Sequence, residues 1–160
     1  MAPGIVDRAR ARIASGLGRL VPDESRHLFL VTLVTGLACG LVAVAFHLAI
    51  QLAERQLVGR ALAYEGWQRA TLLVLTPTLG GLVAGVLLAW VVPGARGSGI
   101  PQVKQVYALG DGRVPVRDAV GKFVVGTLQI GSGASLGREG PTVQICAGAS
   151  TLIARVTALP

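Results

Sequence analysis

The stretch SLGREGPT, residues 135–142, sets an ionisable pair, Arg138 and Glu139, between two glycines and directly ahead of Pro141. Proline is well tolerated in the first turn of a helix, where its missing N–H costs nothing and its fixed φ suits helix entry. The stretch is therefore predicted to end a loop and begin a helix. The first N–H groups of such a helix are unpaired, the helix dipole adds partial positive charge, and glycine lets other groups come close. GSGIPQ, residues 97–102, repeats the design with Pro101 after Ile100. Two anion-attracting helix starts are expected, one from Gly97, Ser98, Gly99, Ile100 and Pro101, the other from Gly137, Arg138, Gly140 and Pro141.

The surroundings make the charges in these stretches costly. Of 160 residues, 52% are hydrophobic and only 14% charged, and the mean hydropathy is +0.62. That is far more apolar than a soluble domain, and it places the chain in the lipid bilayer. An ionisable residue at membrane depth is expensive and marks function, so Glu139 is more than a helix cap. The net charge of +7 comes with few aromatics and no zinc-finger or RNA-binding pattern, which argues against nucleic acid. GxxxxGK[ST] is absent, and both GSGIPQ and GSGASL (131–136) lack the final glycine of GxGxxG, so no nucleotide loop is expected. Cys39 and Cys146 lie in apolar stretches without a CxxC, which reads as two buried, inert thiols rather than a metal site. No cofactor and no enzymatic constellation is expected.

Residues 1–27 form a basic segment, with Arg8, Arg10, Arg12, Arg19 and Arg26 among aliphatic residues, suited to the cytoplasmic membrane interface. Leu28 to Ile50 is long enough to span and lacks a clear cleavage site, so it reads as an uncleaved first span, polar only at Thr32, Thr35 and His47 and continuing toward Leu57. Ala70 to Val92 is the second span, ended by Pro93-Gly94. Gln51 to Arg69 reads as a mixed-charge connection, with Tyr64 and Trp67 at the interface. Gly36/Gly40 and Gly81/Gly85 place small residues one turn apart, which predicts tight helix packing. Basic residues in the N-terminal segment and at Arg96, Lys104, Arg113 and Arg117 put both ends of this hairpin, and the N-terminus, in the cytoplasm. Beyond Pro93, Ile100 to Leu109 and Ala119 to Ile130 are too short to cross about 30 Å of hydrocarbon. They are expected to be broken or tilted helices, which survive at membrane depth where they line a polar pathway.

GSGIP at 97–101, GKFxxG at 121–126 and GREGPTVQ at 137–144, in this order and spacing, resemble the CLC chloride channel and transporter family. The likeness runs from Arg26 to Arg155 and corresponds to the amino-terminal portion of that family's transmembrane domain, here residues 28–160. It implies an all-α, polytopic membrane protein of the CLC inverted-repeat fold, present as an incomplete copy. Members are homodimers with two separate pores, lined by broken helices that point their N-termini at chloride. By this resemblance Ser98 is the serine whose hydroxyl and neighbouring amides bind the central anion. Glu139 is the gating and proton-coupling glutamate, a carboxylate that competes with chloride until protonation releases it. Arg138 and Lys122 supply supporting positive potential, Arg138 through an external network and Lys122 near the pore. Where the family commonly carries glutamate after GSGIP, this chain has Gln102.

The resulting expectation is transmembrane chloride transport in a bacterial inner membrane, with chloride and protons as the transported partners, as a chloride/proton antiporter. A chloride channel and a non-conducting membrane fragment are the alternatives. The family's GxFxP loop, pore tyrosine and internal proton-transfer glutamate are expected beyond Pro160.

Overall fold

In hydrocarbon the backbone has no partner but itself, and an unbroken run of leucine, valine and alanine resolves this as one helix, α1, Glu24–Leu62, of 39 residues. At 1.5 Å per residue this is about 58 Å, well beyond the thickness of a bilayer core. The computed structural model describes residues 24–110 and 112–157, with side chains from Leu28 onward. The basic segment expected at 1–27 lies outside the described residues, apart from the backbone of 24–27, which opens α1.

The connection expected over Gln51 to Arg69 is corrected. Glu54, Arg55, Gln56 and Arg60 are good helix formers, and they carry α1 on to Leu62. Residues 63–65 alone link it to α2, Gly66–Val86. Pro77 lies inside α2 and removes one backbone donor. Thr76 and Thr78 flank it and donate to the Leu72 and Val74 carbonyls at 2.7 Å each.

After Val86 the helix widens into a π turn, Leu87–Val91. Cations take up the carbonyls of its open end: Arg96 donates to Leu88 O at 3.0 Å and Ala89 O at 3.3 Å, and Arg117 donates to Val91 O. A tight turn at Pro93–Ala95 follows. Three further helices complete the described residues: α3, Ile100–Leu109, α4, Val116–Gly131, and α5, Glu139–Thr157. Pro101 and Pro141 fall in the first turns of α3 and α5, as the sequence predicts. Among the described residues there is no strand.

The core forms where α1, α4 and α5 meet, with Phe46, Ile50 and Ile145 buried together and Phe123 and Ile130 packed on them. The Phe46 and Phe123 rings are 5.3 Å apart and tilted by 56°. A second cluster, Ala84, Val92, Ala95 and Val125, joins the end of α2 to α4. The tight packing expected at Gly36, Gly40, Gly81 and Gly85 does not occur within this chain, since a Cβ at any of them would meet nothing within 4 Å. The close approach is one residue away, at Gly80, where a Cβ would lie 2.4 Å from Ser132 Cβ. Cys39 and Cys146 are half-buried rather than fully buried, and they face each other, each thiol donating to the other's carbonyl, at 3.6 and 3.7 Å.

Two helices, Leu28–Leu62 and Gly66–Val91, are long and apolar enough to cross a membrane, yet only 6% and 11% of their most apolar windows is buried by the rest of the chain. The core helix of a soluble domain hides its apolar face. Here Leu33, Leu37, Leu41, Val44, Leu48 and Leu52 form an open stripe along α1, which fits lipid or further protein rather than water.

Candidate anion site

Ser98 sits between two glycines with left-handed backbone, Gly97 at φ 77° and Gly99 at φ 100°. That conformation is costly for other residues, and it turns the chain sharply into α3. Gln102 completes the turn, its side-chain oxygen accepting from the Gly99 N–H at 2.9 Å. The amide at this position thus caps the start of α3 from one side only.

The start of α5 lies directly against this turn. A Cβ on Gly99 would stand 2.4 Å from Gly140 O, and one on Gly140 would stand 2.1 Å from Ser98 O. Only glycine at both positions lets the two helix starts touch. Their meeting point opens onto a pocket of about 310 Å³. Gly97, Ser98 and Ile100 line it from the α3 side, and Gly137, Glu139, Gly140 and Pro141 from the α5 side. Two stretches separated by some forty residues of sequence therefore bring their helix starts to one space.

Lys122 lines the same pocket but is itself buried, 6% exposed. Its ammonium donates to Ala95 O at 2.8 Å and to Gly97 O. In a trans peptide C=O and N–H point in opposite directions, so this bond turns the Ser98 N–H away from the ammonium. Lys122 thus holds the loop as well as adding positive potential.

Gln144 is a second clamp, one to which the sequence motifs assign no role. It is 2% exposed, and its side-chain nitrogen donates to Gly94 O at 3.1 Å. The only sequence signal for it is an amide on the inner face of an otherwise apolar helix.

Glu139 and Ser98 are both exposed at the pocket mouth. Glu139 is the first residue of α5, where the helix dipole favours a carboxylate. Gly99 and Pro101 build the turn without lining the pocket. Arg138 also lies off it: its guanidinium donates to His47 Nδ1 on α1 at 2.7 Å. Its carbonyl accepts from the Thr142 N–H at 3.1 Å and hydroxyl at 2.7 Å. The external network expected of Arg138 is therefore a contact with α1.

The sequence model of the family described as "Voltage gated chloride channel" matches residues 80–159, which include both helix starts and Lys122. The chain belongs to this chloride channel family. It is 36% identical over 104 residues to a ClcB-like chloride channel protein of Ralstonia nicotianae, covering 65% of this chain and 23% of that protein. It is 30% identical over 141 residues to the voltage-gated ClC-type chloride channel ClcB of Yersinia pestis, covering 81% and 33%. It is 35% identical over 147 residues to the H(+)/Cl(−) exchange transporter ClcA of Klebsiella pneumoniae, covering 85% and 30%. The chain thus spans about a quarter to a third of the length of these curated chloride channel relatives. No solved structure matches it.

Proposed function

We propose that this chain forms part of a chloride pathway across a bacterial membrane and that the complete protein exchanges chloride for protons. The observation that carries this reading is the meeting of the α3 and α5 starts at one pocket with Glu139 on its wall. Unpaired amides and helix dipoles bind a halide without a fixed counter-charge, which keeps affinity low enough for release. The Ser98 hydroxyl adds one hydrogen bond and no charge. A carboxylate beside those donors is itself an anion and occupies the same space, so chloride and ionised Glu139 exclude one another. Protonation removes the negative charge and the competition, which ties anion entry to proton uptake. The name of the Klebsiella relative, an exchange transporter, is in line with exchange, whereas the Ralstonia and Yersinia relatives are named as channels. In this reading the N-terminus is cytoplasmic, and the complete protein pairs with a second copy, each copy keeping its own pathway.

The test is a simultaneous record of chloride and proton flux in vesicles holding the full-length protein. Glu139→Gln keeps size and hydrogen-bonding capacity but carries no titratable proton. Chloride is expected to pass while proton movement against its gradient stops. Continued proton pumping by the Gln variant on a chloride gradient would refute the coupling role.

A further inference from the structure

We propose that His47 is a positioning residue for the anion site: by accepting the Arg138 guanidinium on Nδ1 it fixes the first turn of α5, and with it Glu139, at the pocket mouth. The inference rests on the function proposed above and adds a residue that neither the motifs nor the pocket lining contains.

The contact dictates its own chemistry. Arginine has donors only, so at 2.7 Å His47 Nδ1 must present a lone pair. The other ring nitrogen, Nε2, lies 3.0 Å from the Gln51 amide nitrogen. The imidazole is thereby contacted at both nitrogens, by Arg138 on one side and by Gln51, one turn further along α1, on the other.

Its position is rigid for a second reason. Phe46, immediately before it, is 2% exposed and Ile50, three residues after it, is 4% exposed, both packed against Ile145 of α5. Phe46 also reaches the floor of the site, since a Cβ on Gly126 would lie 3.0 Å from Phe46 Cζ and 3.6 Å from Pro141 Cβ. His47 is therefore a fixed acceptor on a fixed helix. Residue 138 is held at both ends, its side chain by His47 and its carbonyl by Thr142. Residue 139 follows directly. Released from His47, the guanidinium becomes a mobile cation one residue from the carboxylate that has to leave and re-enter the pocket.

The test measures chloride flux against chloride concentration for the full-length protein in vesicles. His47→Ala is expected to raise the half-saturating chloride concentration about fivefold, the effect of one ordinary hydrogen bond. His47→Asn places a carbonyl oxygen near the Nδ1 position and is expected to bring the value back toward that of the parent. Arg138→Gln is expected to cost less in the His47→Ala background than in the parent, because the contact is already cut there. The proposal is overturned if Asn fails as Ala does, if Arg138→Gln costs as much in the His47→Ala background as in the parent, or if His47→Ala leaves the concentration dependence untouched while the parent shows saturable chloride flux. A parent that passes no chloride refutes the function proposed above instead, and the two failures are distinct.

Discussion

Lys122 carries a charge into a place where 6% of it meets solvent, and two backbone carbonyls make that tolerable. Its neighbours in sequence, Gly121 and Phe123, are apolar, so the GKFxxG stretch shows that a cation is present but not what it holds. The same limit applies to His47, whose partner Arg138 is 91 residues away. Ser98 and Glu139 are legible because local signals, a proline in the first turn and flanking glycines, fix where a helix begins. Side chains that bridge distant segments leave no such local trace. At this scale the Ser98 hydroxyl has a definite consequence. Ser98→Pro deletes the hydroxyl and the backbone donor of that residue together. In the full-length protein it is expected to shift preference from chloride toward nitrate, read as the ratio of the two fluxes in vesicles. An unchanged ratio would show that Ser98 does not face the transported anion.

Helix starts, rather than whole helices, build the site, and their register depends on glycine. Gly140 has no room for a methyl group, because a Cβ there would stand 2.1 Å from Ser98 O, whereas a Cβ on Gly81 meets nothing within 4 Å. Gly140→Ala is therefore expected to force the two starts apart at about 1–3 kcal/mol. Gly81→Ala is expected to be neutral or stabilising by up to about 1 kcal/mol through helix propensity. Thermal melting in detergent of the two variants separates them, and equal melting points would contradict the close approach. The contrast also explains why the small-residue spacing does not find the close approach within this chain. A repeat of four places two glycines on one helix face but says nothing of which face meets a partner. The two long helices and the short, proline-started ones are legible, because they follow from apolar run length and turn chemistry. The true length of α1 is not, because charged residues that favour helix suit a surface loop equally well.

Across the molecule, the open apolar stripe of α1 and the bare outer face of α2 leave little of either span covered, 6% and 11% of their most apolar windows. In the function proposed here, a chain spanning about a quarter to a third of its relatives' length presents one side of the pathway. These 160 residues alone, in vesicles, are expected to give no chloride-selective efflux. Selective efflux from that preparation would show that the site is complete without further protein. The central claim is narrower, that the meeting point of α3 and α5 is where the anion binds. Bromide follows the path of chloride and scatters X-rays anomalously, so a bromide-soaked crystal of the full-length Glu139→Gln protein tests it directly. The account predicts an anomalous peak between the Ser98 hydroxyl and the first amides of α5. Strong bromide peaks elsewhere in the membrane region, with none at this pocket, would contradict it.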